Sequence, residues 1–114
     1  MAVQITRRDV GSVTVLDLKG KLAAEAGQTL SDTVETLVRD GRRQLLLNLA
    51  DVSFVDSGAL GSLLALRGAV EKNGGVLKLS NVTSRISDLL VTTRLAVIFD
   101  SYDSEPVALQ SFQS

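Results

Sequence analysis

One short stretch of this chain gathers most of the side chains that could do chemistry. Asp51-Val-Ser-Phe-Val-Asp-Ser-Gly-Ala-Leu-Gly61 sets the hydroxyl of Ser57 beside the carboxylate of Asp56, followed by Gly58, Ala59, Leu60 and Gly61. A serine nucleophile needs a base to take its proton. The chain has no histidine, its lysines are Lys19, Lys21, Lys72 and Lys78, and no Ser-x-x-Lys spacing surrounds Ser57. Asp51 and Asp56 together suggest magnesium, but two carboxylates on a loop more commonly make a solvated turn and a cap. Gly58-Ala-Leu-Gly61 is not a nucleotide-binding P-loop, which requires a Lys-Ser/Thr pair directly after its second glycine. With neither Cys nor His, the thiolate and imidazole ligands of zinc are missing too. The residues therefore predict no enzyme activity, no metal and no cofactor.

What remains is a hydroxyl and a carboxylate where a helix begins. Either Asp56 or Ser57 can be an N-cap, accepting a hydrogen bond from an orphan amide for about 1 kcal/mol. An anion on Ser57 would also be well placed, because the amides of a first helical turn converge there. Gly58 and Gly61 cost up to ~1 kcal/mol each relative to alanine inside a helix. Their presence implies that something approaches closely.

The elements that must position this stretch follow from hydrophobic spacing. Val3 to Leu18 reads as two short strands joined by a Gly11-Ser12 turn, an opening hairpin. From about Ala24 to Asp40, Ala26, Leu30, Val34, Leu37 and Val38 recur at three and four places, with Gly41 where a helix would stop. Gln44-Leu-Leu-Leu-Asn-Leu49 is apolar with little alternation, as in a central strand covered on one face by helices. A polar connection and Phe54-Val55 then lead to a second helix, about Ser57 to Asn73, ended by Gly74-Gly75. A strand at Val76 to Leu79, a helix at Ser84 to Thr92, a short strand at Val97 to Phe99 and a last helix from Ser104 with Pro106 in its first turn complete the pattern. Strands alternating with helices predict an α/β fold, and the hairpin makes the sheet mixed. The expectation is four or five strands with helices mostly on one face.

Length and charge bound the remaining possibilities. The 114 residues, 45% of them hydrophobic, suffice for one core without disulfides, so residues 1–114 are expected to form a single domain. Twelve basic and thirteen acidic residues give a formal charge of −1 and are interspersed, as in Arg39, Asp40, Arg42 and Arg43, which argues against nucleic acid or an anionic membrane as main partner. No apolar run approaches the roughly 18 residues of a membrane span, and Met1 to Asp9 lacks the apolar stretch of a signal peptide; a cytoplasmic location is expected.

The strand Leu-Leu-Leu-Asn-Leu-Ala-Asp-Val-Ser-Phe-Val, then Asp56-Ser57, then Leu60-Gly61 and a Leu-rich helix, resembles the STAS domain of anti-sigma factor antagonists. Leu18-Lys-Gly20-Lys-Leu22 is similar to that family's motif at the end of the second strand, and Asn73-Gly-Gly75 to its turn after the second helix. The resemblance implies that Ser57 is a phosphoacceptor for a partner that is both an anti-sigma factor and an ATP-dependent serine kinase. It implies further that the unphosphorylated domain binds this kinase and frees the sigma factor, and that a metal-dependent serine phosphatase restores the unmodified state. Asp56, Gly58, Ala59, Leu60 and Gly61 would form the switch loop and partner surface. A scaffold or signalling module that is not modified, or a nucleotide- or small-ligand-binding accessory subunit of a transporter, are other uses of STAS domains. The chain departs from the family at two places. Gly58-Ala59 reverses the usual order of the small pair, and Ala23 stands where the family tends to have an acid after Gly-x-Leu. Arg67 also falls among Leu60, Leu63 and Leu64 at helical spacing, where its stem is expected to pack while its head reaches solvent.

Overall fold

The computed structural model describes residues 3–113. Strands β1 (Gln4–Val10) and β2 (Val13–Leu22) form the expected hairpin, pairing antiparallel from Gln4↔Lys19 to Val10↔Val13. Helix α1 (Ala26–Arg39) crosses to strand β3 (Gln44–Val55), and helix α2 (Ser57–Lys72) to strand β4 (Val76–Ser80). Helix α3 (Ser84–Thr92), a two-residue strand β5 (Ser101–Tyr102) and helix α4 (Glu105–Ser111) follow. The sheet order is β1-β2-β3-β4-β5, with β1 antiparallel and all later neighbours parallel, a mixed five-stranded sheet with β3 at its centre.

Apolar spacing places α1 on the sheet, and glycine ends two of the helices. Along α1, Ala26, Leu30, Val34 and Leu37 are buried, three and four residues apart, against Leu16, Leu18, Leu45 and Leu47 of the sheet. After α1 the amide of Arg42 donates to the Leu37 carbonyl and that of Gly41 to Val38, and after α2 the amide of Gly75 donates to Val70 and that of Gly74 to Glu71. Both are Schellman caps, whose left-handed residue is supplied by Gly41 (φ 91°) and Gly74 (φ 81°). The same cap closes α3, but its left-handed residue is Arg94 (φ 63°), which carries no such signal in the sequence. The chain then turns tightly, with the amides of Ile98 and Phe99 both donating to Leu95. The strand expected at Val97 to Phe99 is consequently absent. Val97 is 92% exposed at the turn, Phe99 is buried, and the strand forms at Ser101–Tyr102 instead.

Two features of β3 differ from the sequence reading. Its apolar start lacks alternation because both faces are covered: Leu45 and Leu47 lie in the core that includes residues of α1, α2 and α3, while Leu46 joins Val13, Val15 and Ala108 of α4 on the opposite side. Three helices thus occupy one face and α4 the other. The second difference is that no polar connection follows Leu49. The strand runs on to Val55 along β2, and twice β3 carries one residue more than its partner: Asp17↔Asn48 is followed by Lys19↔Asp51, and Gly20↔Val52 by Lys21↔Phe54. Each such bulge resets the pleat. As a result every third residue, Leu49, Val52 and Val55, points into the core, and the residues between them face solvent.

Candidate functional site

The stretch from Asp51 to Gly61 contains a single non-regular residue, Asp56, between the end of β3 and the start of α2. Asp56 is extended (φ −104°, ψ 173°) and is the N-cap of α2. Its Oδ1 accepts from the Ala59 amide at 2.8 Å, and its Oδ2 accepts from the Ala24 amide at 3.2 Å, in the turn between β2 and α1. Its own amide donates to the Leu22 carbonyl at 3.3 Å. One carboxylate therefore caps a helix and pins a neighbouring turn that lies 32 residues earlier in the chain.

This settles which of the two polar residues caps α2. Asp56 does, and Ser57, the first helical residue, is exposed and makes no side-chain hydrogen bond among the described residues. The Ser57 hydroxyl thus stands at the N-terminus of a 16-residue helix, uncommitted to any structural task. In the first turn α2 has no acidic side chain of its own.

The small residues divide by role. A Cβ on Gly58 would lie 2.7 Å from the Ala24 Cβ, so glycine at this position allows the turn after β2 to rest on α2. Gly27 of α1 likewise leaves no room for a methyl group against the Ser62 side chain of α2, whose hydroxyl donates to the Gly58 carbonyl at 3.2 Å. Gly61, in contrast, faces open space, so no contact within the described residues demands it. Ala59 and Leu60 are 1% and 2% exposed. Their side chains lie in the core and seat the first turn, while Ser57, Gly58 and Gly61 are exposed on its surface.

Sequence reasoning missed Leu64. It was grouped with the apolar face of α2, but it is 37% exposed, and at seven residues from Ser57 it shares a helix face with Ser57 and Gly61. Phe54, 44% exposed at the end of β3, is a second apolar residue close in sequence to Ser57. No periodicity in α2 separates Leu63, which is buried, from Leu64; only the packing does. Arg67 is half-buried and pairs with Glu71 (Nη1 to Oε2, 3.1 Å), one turn further along the helix. Among the described residues no cluster of three or more His, Cys, Asp or Glu could hold a metal ion, and no helix is long and apolar enough to cross a membrane.

Comparison with known proteins gives the same architecture a family. Residues 4–108 match the STAS domain family. The anti-sigma-B factor antagonist of Bacillus subtilis (strain 168) is 32% identical over 85 residues, spanning 75% of this chain and 77% of that protein. An anti-sigma factor antagonist from Mycobacterium paratuberculosis superposes with a TM-score of 0.87 at 20% identity, over 99% of this chain and 96% of its own. The Bacillus cell fate determinant SpoIIAA in its phosphorylated form superposes with a TM-score of 0.71 at 20% identity, over 97% and 99% of the two chains. Fold, family match and the relative in Bacillus subtilis converge, and the chain belongs to the STAS domain family of anti-sigma factor antagonists.

Proposed function

We propose that this protein is a phosphorylation-switched binding module whose phosphoacceptor is Ser57 and whose partner is an anti-sigma factor that is also a serine kinase of the ATPase type. In the unphosphorylated state it binds that partner and releases the sigma factor; a serine phosphatase returns the modified protein to this state. The protein is a substrate in this cycle and performs no chemistry itself. The observation that carries the reading is the division of labour between neighbours: Asp56 already caps α2, so the exposed Ser57 hydroxyl is left over.

A phosphoryl group on Ser57 would add roughly −1.5 to −2 charges at neutral pH, at a helix end whose dipole favours negative charge. The helix and its cap need not move to accept it. A partner covering Ser57, Gly61 and Leu64 would instead have to bury that charge. Leaving a buried charge unpaired costs about 3–5 kcal/mol, or two to four orders of magnitude in affinity, enough to dissolve a micromolar complex. A Cβ at Gly61, four residues on from Ser57, would meet no atom within 4 Å.

The test is incubation with ATP and a candidate ATPase-type kinase, together with binding measurements on two variants. Label should enter the unaltered protein and be absent from Ser57→Ala, and Ser57→Asp should weaken kinase binding at least tenfold. Label retained in Ser57→Ala refutes the acceptor, and binding indifferent to Ser57→Asp would indicate a passive scaffold.

A further inference from the structure

Helix α4 is attached to the molecule differently from the other helices. It covers the sheet face opposite α1 and α2, yet Ala108 is its one buried residue among those described, with Leu109 and Phe112 half-buried beside it. A helix of seven residues has no stability of its own in water. Besides this packing, a polar tie holds it at each end. At the N-terminal end the Arg8 guanidinium donates to both Glu105 carboxylate oxygens and, on its other side, to both oxygens of Asp17. At the C-terminal end the Lys78 ammonium donates to the Ser111 carbonyl (3.2 Å) and hydroxyl (2.9 Å) and sits over the rings of Phe112 and Tyr102, 4.7 and 5.6 Å from their centroids.

We propose that α4 is a strap, opening and closing on the second face of the sheet as one unit while the five strands and the other three helices stay folded. Both ties are made by cations anchored on strands, Arg8 on β1 and Lys78 on β4, so the sheet keeps them when α4 leaves. Arg8 retains Asp17, which Asn48 also holds at 2.7 Å, so losing Glu105 leaves no stranded charge in the sheet. Opening uncovers Val13, Val15 and Leu46, apolar side chains that are at most 5% exposed with the strap closed. Both ties are electrostatic, so the balance shifts with ionic strength.

Native-state hydrogen exchange on the full chain tests this. The amides of Ala108 and Leu109 should exchange through an opening smaller than, and less urea-dependent than, the one that releases Leu46 and Leu47 in β3. Glu105→Gln and Lys78→Met, at opposite ends, should each speed exchange at Ala108 and Leu109 by about threefold to tenfold and leave β3 unchanged. Raising salt to about 0.5 M should act in the same direction. A shared opening for α4 and β3 overturns the proposal. So do variants that accelerate both regions alike, that change neither, or that each loosen only their own end, which is fraying.

Discussion

The contact between Gly58 and Ala24 makes a quantitative demand. A methyl group at position 58 would place its carbon 2.7 Å from the Ala24 Cβ and 3.5 Å from its Cα, against a favourable carbon–carbon separation of about 3.5–4.0 Å. Ala24 cannot easily retreat, because its amide is held by Asp56 Oδ2 and its carbonyl accepts from the Gly27 amide at 3.1 Å. Overpacking of this kind costs about 1–3 kcal/mol, and replacing glycine by alanine in a helix returns up to ~1 kcal/mol. Gly58→Ala should therefore destabilise the protein by about 1–2 kcal/mol. The compensating change is Ala24→Gly, which should cost less than ~1 kcal/mol alone, since Ala24 is exposed. In the double variant the two should couple favourably by about 1–3 kcal/mol. Urea unfolding of the four proteins measures this cycle: with an m-value near 2 kcal/mol/M, Gly58→Ala lowers the midpoint by about 0.5–1 M and the second substitution restores most of it, with m unchanged. Effects that add to within ~0.5 kcal/mol, or a Gly58→Ala protein more stable than the original, would refute the packing argument.

Other expectations follow from single contacts. Asp56→Ala removes the cap of α2 and the acceptor for the Ala24 amide, and should cost about 2–3 kcal/mol in thermal or urea unfolding, with Asp56→Asn losing less because it keeps one acceptor oxygen; a loss under ~0.5 kcal/mol for alanine would show that the carboxylate does not join the two turns. Hydrogen bonds from Arg8, outweighing burial and aided by Asn48 and the Arg8 charge, lower the pKa of Asp17 from its ordinary value. Its stabilising contribution is then full above the unfolded value near 3.9 and disappears as the pH falls from there through the lower folded value, so Asp17→Asn should flatten stability against pH in that acid window; identical acid titrations of the two proteins would contradict this. Arg67→Leu should leave stability within ~0.5 kcal/mol, as its exposed-side pair with Glu71 is a single helical ion pair, and a larger loss by calorimetry would reveal packing by the arginine stem.

How legible the fold was depended on the range of the interactions that decide each element. Helix ends signalled by Gly41 and Gly74 fell where expected, because a left-handed cap is a local requirement that glycine meets at low cost. The end of α3 gave no such signal, since an arginine, Arg94, takes the left-handed position there, and the strand expected at Val97–Phe99 moved to Ser101–Tyr102. After Leu49 the expectation was a polar connection, whereas Leu49, Val52 and Val55 all point into the core from one continuous strand. The bulges that make this spacing consistent with a strand exist only relative to β2. Leu60 and Leu64 could not be told apart on α2 until the sheet decided which side faced inward.

The sequence by itself determined that a hydroxyl and a carboxylate meet at a helix start, that no histidine or cysteine stands ready to use them, and where two helices stop, because each of these depends on residue type and near neighbours along the chain. Only the tertiary structure decided that Asp56 takes the cap and leaves Ser57 free, and that Gly58 must be small. Those outcomes turn on Ala24, a residue far away in sequence that the sheet brings within hydrogen-bonding distance.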